Sequence, residues 1–348
     1  MDHYGCCADL RARPGRSKRK GGGIVEEKSK GGKISTLFRD YNSICILLLL
    51  VILTSFFVSG MTKNFDTVLV EASQYGLIAM GLALVMITGN IDLSVGFQAA
   101  CAAIVSVLTI NATGSLPLAI LAVVVTGLIT GTINAFTVVK LGISPLIATI
   151  ATNYIFKGFV YYFTKNGAIY PEGDLRSAFQ SAIAKNYLFD SKFFCVTVIV
   201  LLLLLIITAF VMKKTRFGVS LYISGDNAEA GKLAGIRIEW VNFAAYVLCG
   251  VCCAPAGLFM ASKAGAAIYT QAEGRDVFAI SACVIGGVKM AGGKGTMLNV
   301  LIGILIMRVI STMMNQMLIP TAWVDFVSGA LLIVILIIDK ITAAKKDD

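Results

Sequence analysis

The chain has 348 residues, of which 57% are hydrophobic and only 14% are charged, and its formal net charge is +10. A soluble domain carries roughly a quarter charged residues, so this composition excludes an ordinary soluble protein and predicts a polytopic membrane protein. The basic residues lie at the chain ends and between apolar runs rather than in a compact basic and aromatic patch. No nucleic acid is therefore expected among the partners.

The first segment, residues 1–42, is polar, rich in glycine and basic. Such a composition is typical of a disordered tail. No cleavage-site pattern follows the first apolar run, so we expect that run to remain as a helix rather than to be removed as a signal peptide.

Ten apolar runs follow, most of them close to the ~20 residues that a bilayer-spanning helix requires. They are 43–60, 68–88, 94–111, 116–139, 145–164, 193–212, 241–262, 277–290, 296–314 and 321–338. The sequence therefore predicts an all-α fold, a polytopic transmembrane helical bundle of about ten spans. The transmembrane domain covers residues 43–340, and residues 341–348 form a second tail.

Lys and Arg are more frequent in alternate loops, and this bias places both chain termini on the cytoplasmic side. The loop at 213–240 then becomes internal, and the loop at 165–192 becomes external. We expect the protein in the plasma membrane of a prokaryote, in contact with membrane lipid.

The first unusual motif interrupts two apolar runs with Gly89, Asn90, Asp92, Ser94 and Gly96. A carboxylate this close to hydrocarbon is costly unless it faces protein, water or a ligand. Glycines allow the backbone to unwind where it is buried or lines a cavity. The motif is either a short turn capped by its Asn and Asp, or a helix break that lines a substrate pathway.

A second interruption, 286–295, contains Gly287, Gly292 and Gly293 and occupies a similar place in the second half of the chain. Paired glycine interruptions of this kind are typical of internally duplicated transport folds. We therefore expect two pseudo-repeated halves, with these three glycines also in the substrate pathway.

This second interruption does not match a phosphate-binding loop, which requires G-x-x-x-x-G-K-[ST]. Val288 occupies the position of the first glycine, and Gly295 occupies that of the hydroxyl residue. The single histidine, His3, lies in the polar tail. No ATP hydrolysis, other enzyme activity, metal site or cofactor is expected of the chain itself.

The internal loop is predicted to form a helix of about eight residues. Asp226 is a suitable N-cap with Glu229 completing a capping box, and Gly235 suits a left-handed stop. Ala230 and Gly231 in the middle are small, so another protein could approach the helix closely. The alternative is a surface helix without a partner.

Two small-residue patterns lie inside apolar runs. Cys249 and Cys252 form a C-x-x-C without nearby acids or histidines, which favours packing over redox chemistry. Gly127 and Gly131 form a G-x-x-x-G, which predicts close helix packing.

Glu71, Arg308 and Asp325 lie within or near spans, and each is a functional candidate. For Arg308 we expect snorkelling to the membrane interface.

Four segments, 89–96, 142–149, 225–236 and 291–295, occur in an order that resembles the permease subunits of ATP-binding-cassette importers of the ribose, xylose and galactoside type. The resemblance extends from about Ser43 to Lys340. It implies import of a monosaccharide, separate cytoplasmic ATP-hydrolysing subunits, an external sugar-binding protein and a second permease copy or paralogue.

In that family the internal loop holds a coupling helix that docks on the ATPase. By position the coupling residues are Asp226, Asn227, Glu229, Ala230, Gly231, Leu233 and Gly235. The family often has paired alanines followed by a larger polar residue after the acid, whereas here Ala230 precedes Gly231.

Other functions stay open. A related importer of nucleosides or of an autoinducer-like furanosyl molecule would have the same motifs. An ion-driven secondary transporter would need charged relays within several spans, and these are scarce. A membrane enzyme would need a nucleophile and base that the sequence lacks.

Overall fold

The computed structural model describes residues 65–184 and 195–320, together with 322–324, 326–330, 333, 334 and 337. All of these belong to one compact unit, residues 42–348. The predictions for both tails, for the first span and for Asp325 lie outside the described residues, as does part of the last span.

The described residues are mostly helical, as the sequence predicts. The α-helices are α1 (Phe65–Ile87), α2 (Val95–Thr113), α3 (Leu116–Ala135), α4 (Pro145–Thr164), α5 (Leu175–Phe179), α6 (Val196–Lys214), α7 (Arg216–Asp226), α8 (Ala228–Leu233), α9 (Ile238–Ala264), α10 (Arg275–Ile285) and α11 (Met297–Gln316). Helix α3 continues as a π-helical turn, Phe136–Lys140, and α5 continues as another, Gln180–Ala184. A 3₁₀ turn, Tyr269–Ala272, precedes α10.

Within the described residues, 6 helices are long and apolar enough to cross a membrane, namely α1, α2, α3 with its π turn, α6, α9 and α11. Helix α4 has 20 residues but is less apolar, with several tyrosines and threonines. Helix α10 has only 11 residues, which span roughly 16 Å, about half of a ~30 Å hydrocarbon layer. The predicted helical bundle is confirmed, whereas the count of ten spans and the pseudo-repeat stay unconfirmed.

Helix α9 is the central element, because it packs against α1, α2 and α3. Glycines make the contact with α3 very close: a Cβ on Gly127 would lie 2.6 Å from the Gly250 carbonyl oxygen, and one on Gly131 would lie 2.7 Å from that of Tyr246. The predicted G-x-x-x-G packing is confirmed. Cys249 and Cys252 are buried in the same helix.

One end of the bundle contains a short β-ladder. Strands β1 (Ala168–Ile169) and β2 (Ala267–Ile268) pair antiparallel. Asn111, near the end of α2, fixes the adjoining loop, since its side chain donates to the Tyr170 carbonyl oxygen at 3.0 Å and accepts from the Glu172 amide at 3.0 Å. We call this end the ladder end.

The opposite end is basic, and we call it the basic end. Its cations, all exposed or half-exposed, are Lys140, Lys213, Lys214, Arg216, Lys232, Arg237, Lys289 and Lys294. Its exposed acids are Asp226, Glu229 and Glu239. The fold thus gathers at one end the loops that the positive-inside rule assigns to the cytoplasm, while the orientation itself stays a prediction.

Candidate functional site

The first glycine motif turns back into the protein after α1 ends. Gly89 adopts φ +79°, a left-handed conformation that favours glycine. The carbonyl oxygen of Ile91 accepts a hydrogen bond from the Tyr246 hydroxyl at 3.0 Å, and Asp92 meets Asn134. Asn134 lies near the end of α3, roughly 9 Å along the helix axis from Lys140, where the following π-helical turn ends at the basic end. The chain therefore re-enters the bundle before α2 begins.

Asp92 is fully buried and is the centre of a hydrogen-bond network. Its Oδ1 accepts from the amide and the hydroxyl of Ser94 at 2.9 and 2.7 Å. Its Oδ2 accepts from Gln98 Nε2 at 2.8 Å and from Asn134 Nδ2 at 2.9 Å. The network ties the re-entrant segment to α2 and α3.

The sequence analysis did not identify Gln98 and Asn134. Each is a polar amide flanked by apolar residues in its helix, which is the signal that could have found them, because an amide buried in a bundle requires partners. Thr130 extends the network by donating to Gln98 Oε1 at 3.3 Å.

The predicted pathway residues separate into two groups. Gly89 and Asn90 line a cleft of about 340 Å³ at the basic end, together with Ser144 and Met290. Asp92 and Ser94 are fully buried and face protein rather than this cleft. A role in the pathway for Asp92 therefore stays a prediction, and the geometry shows an acid that shapes the break.

Gly96 lies at the far side of the same segment. A Cβ at this position would be 2.7 Å from the carbonyl oxygen of Ala272 and 3.5 Å from the Cβ of Arg275. Both residues belong to the stretch that descends from the ladder end into α10. The motif thus separates the cleft at the basic end from the elements that reach inward from the ladder end.

The two glycine interruptions meet each other and the end of α7. A Cβ on Gly225 would lie 2.1 Å from the Ile87 carbonyl oxygen and 2.5 Å from the Gly293 nitrogen, and one on Gly292 would lie 2.7 Å from the Gly89 nitrogen. The Gly293 amide donates to the Ile87 carbonyl oxygen at 2.9 Å. We call Gly89, Gly225, Gly292 and Gly293 the glycine junction.

Gly287 does not belong to this junction. It adopts φ +80°, and a Cβ there would meet nothing within 4 Å. Its place in the fold is the left-handed stop after α10, so the structure separates it from the other predicted pathway glycines.

The predicted internal helix exists, but its cap differs from the prediction. Helix α8 has 6 residues, and its N-cap is Asn227, whose side-chain oxygen accepts from the Ala230 amide at 2.9 Å. Asp226 is instead the last residue of α7, so the predicted capping box with Glu229 is wrong. Gly235 has φ +82°, which confirms the predicted left-handed stop.

The exposed face of α8 also differs from the prediction. Gly231 is buried, because a Cβ there would lie 2.9 Å from side-chain atoms of both Ile223 and Ile238. Its predicted role in admitting a partner is therefore wrong, since it permits packing on α7 and α9 instead. The exposed residues of the helix are Glu229, Ala230, Lys232 and Leu233. The side chain of Leu233 is 92% exposed.

Glu71 and Arg308 belong to a partly buried ion cluster near the ladder end. The Glu71 carboxylate binds Lys263 Nζ at 2.7 Å through Oε1 and Arg308 Nη2 through Oε2. Arg308 is only 5% exposed, and its guanidinium lies 4.8 Å from the centre of the Tyr75 ring. The expectation that Arg308 snorkels to the membrane interface is wrong.

Comparison with known proteins assigns the family. Residues 64–336 match the family described as "Branched-chain amino acid transport system / permease component". The chain belongs to this family of ATP-binding-cassette importer permeases, in its sugar-type branch.

Curated relatives agree with this assignment. The chain is 32% identical over 296 residues to the "Autoinducer 2 import system permease protein LsrC" of Salmonella typhi, covering 85% of this chain and 83% of the relative. It is 33% identical over 263 residues to LsrC of Shigella flexneri, covering 76% and 75%. For LsrC of Escherichia coli O157:H7 the identity is 32% over 303 residues, covering 86% of each chain.

No solved structure matches the chain. The relatives are named as permeases and not as enzymes, which supports the expectation that this chain performs no catalysis of its own.

Proposed function

We propose that this chain is the permease subunit of an importer that moves a small furanose-like molecule into the cytoplasm. The molecule is a simple sugar or the autoinducer 2 for which the relatives are named. Separate ATP-hydrolysing subunits supply the energy. The partners are an external binding protein and a second permease copy or paralogue.

The observation on which this proposal depends is the contact between α7, α8 and the glycine junction. Helix α8 presents Glu229, Ala230 and Leu233 to the outside at the basic end. Immediately before it, Gly225 lies against both glycine interruptions with no room for a side chain. A partner that binds α8 and moves it would therefore displace both interruptions directly, because close-packed backbones transmit movement rather than absorb it.

The cavities support a substrate pathway past the first interruption. Gly89 and Asn90 line the cleft at the basic end, and Gly96 adjoins Ala272 on the opposite side. The re-entrant segment between them is held by the Asp92 network rather than by regular helix hydrogen bonds. Such irregular backbone is tolerated within a membrane where it is buried or lines a path. The basic end faces the cytoplasm in this proposal, where the ATPase is found.

Substitution of Leu233 by Asp tests the role of α8. The Leu233 side chain is 92% exposed and so contributes little to folding. The Leu233→Asp variant is therefore expected to insert and fold normally. The introduced carboxylate would oppose insertion of this side chain into an apolar pocket on the ATPase. For a central interface residue the expected loss of binding free energy is about 2–4 kcal/mol. Co-purification of the ATPase with the tagged chain should then fall to background.

The matched control is Leu318→Asp, since Leu318 is 90% exposed but follows α11 at the ladder end. It should retain the ATPase fully. If Leu233→Asp retains the ATPase as well as the control does, α8 is not the coupling element.

A further inference from the structure

Two adjoining cavities lie near the ladder end, with volumes of about 380 and 320 Å³. These volumes fall in the range of small-molecule sites. The residues that both cavities share are Tyr75, Gln271, Arg275, Arg308 and Asn315. Glu71, Gln74 and Lys263 line the first cavity as well. We call this region the arginine cavity.

The first of the two cavities has an excess of positive charge, because the acid Glu273 lines only the second cavity, where it lies 3.9 Å from Lys157. Lys263 and Arg308 share a single counter-ion, Glu71. Among the described residues, Arg275 has no carboxylate partner: its Nε donates to the Gln271 carbonyl oxygen, and its guanidinium lies 4.4 Å from the centre of the Tyr75 ring. Three cations against one acid leave the lining of the first cavity with two uncompensated positive charges. Lys263 is exposed, Arg275 is half-buried and Arg308 is buried. Charges withdrawn from water are costly unless an opposite charge accompanies them.

Several buried polar atoms in the lining also lack hydrogen-bond partners within the part of the chain that the structure describes. They are Gln74 Nε2, Arg275 Nη1 and Arg308 Nε. Gln74 and Arg308 are 4% and 5% exposed, and both line the cavity. All three atoms are donors. Buried donors without partners are rare in folded proteins, so this cavity is equipped to donate hydrogen bonds to an acceptor-rich solute.

The arginine cavity adjoins the proposed pathway. Arg275 begins α10, and its Cβ lies 3.5 Å from the position that a Cβ on Gly96 would occupy. A solute in the cavity therefore lies against the far side of the re-entrant segment from the cleft at the basic end. The cavity has the location expected of the outward-facing section of the pathway.

We infer that the arginine cavity binds a solute bearing both hydroxyl groups and a negative charge, that is, an anionic sugar derivative. This inference rests on the proposed import function and adds a negative charge to its sugar-like substrate. The anion pairs with Arg275, while Gln74 and Arg308 donate to hydroxyl or carboxylate oxygens. Glu71 holds Lys263 and Arg308 in place and accepts from a sugar hydroxyl.

The test is ligand-dependent thermal stabilisation of the full chain in lipid nanodiscs, which needs no ATPase. The probes are D-ribonate, D-ribose and inorganic phosphate. D-ribonate should raise the unfolding temperature at lower concentration than either of the others. Arg275→Gln should raise the half-saturating ribonate concentration by about tenfold, the usual worth of one buried charge-assisted hydrogen bond. Arg275→Lys should restore part of the affinity.

Glu71→Gln is not expected to weaken ribonate binding, in contrast to Arg275→Gln. It removes the competing negative charge but keeps a side-chain oxygen that accepts from the sugar hydroxyl, so ribonate should bind it at least as tightly as the wild type. Arg216→Gln, which removes an exposed cation at the basic end, is the control and should leave ribonate binding unchanged. Each variant is compared with its own unliganded unfolding temperature.

Equal stabilisation by ribose and ribonate, or no loss in Arg275→Gln, overturns the anionic assignment. Equal stabilisation by phosphate and ribonate overturns the requirement for hydroxyl groups. If the wild-type chain with its ATPase shows no ATP-driven uptake but still binds ribonate in an Arg275-dependent way, the import function is rejected and the binding site is retained. The two failures are therefore distinguishable.

Discussion

Asp92 shows how far a single residue can be interpreted from sequence. A carboxylate between glycines next to apolar runs indicates a special site, and the structure places it fully buried with four hydrogen bonds. Sequence reasoning could not choose between a cap and a pathway role, because the partners Gln98 and Asn134 come from separate helices. The re-entrant turn is compatible with both hypotheses, since Asp92 fixes the conformation of a segment that separates two cavities.

Asp92→Ala should destabilise the chain and lower transport. It removes the acceptor of the Ser94 amide and hydroxyl, and the Gln98 and Asn134 amides keep only Ser94 Oγ as an acceptor. Each buried group left unsatisfied costs about 1–3 kcal/mol. Thermal unfolding in nanodiscs should show a clear drop, while the ATPase stays bound to α8. The control is Asn90→Ala, because Asn90 is half-buried and its side chain makes a single hydrogen bond within the described residues, to the Thr88 hydroxyl at 2.9 Å. Equal unfolding temperatures for the two variants would contradict a central role for Asp92.

Helix α8 illustrates what local patterns reveal about an element. The capping residues and the terminal glycine predicted a short helix with a left-handed stop at Gly235. The start is one residue later than predicted, because Asp226 belongs to α7, whose 11 residues begin at a Thr215 cap. The buried face of Gly231 could not be predicted, since it depends on Ile238 from a helix that begins after the turn.

The glycine junction makes a prediction at the same scale. Gly225→Ala would place a methyl group 2.1 Å from the Ile87 carbonyl oxygen, so backbones must separate, at a cost of typically 1–3 kcal/mol. We expect a membrane-inserted protein that retains the ATPase but has lost ATP-driven uptake. Gly158→Ala in α4 is the matched helical control, because a Cβ there meets nothing within 4 Å. Wild-type uptake by Gly225→Ala would show that the junction transmits nothing.

At the scale of the whole molecule, hydropathy predicted the long apolar helices and charge predicted which loops share an end. Neither could predict the two re-entrant stretches, 88–94 from the basic end and 269–274 from the ladder end, whose positions depend on tertiary contacts such as Gly96 against Ala272. The short helix α10 follows from the second of these stretches. Arg308 was wrongly predicted to lie at the membrane interface because the sequence does not show its pairing with Glu71, which is far away in the chain.

The central claim is that transport through this chain is driven by ATP hydrolysis on a separate subunit. Its most direct test is uptake of labelled autoinducer 2, D-ribose and D-ribonate into proteoliposomes containing the chain, its ATPase and its binding protein. At least one of the three solutes should accumulate only when ATP and the ATPase are both present, with no response to an imposed proton or sodium gradient. Accumulation driven by an ion gradient in the absence of the ATPase would contradict the account.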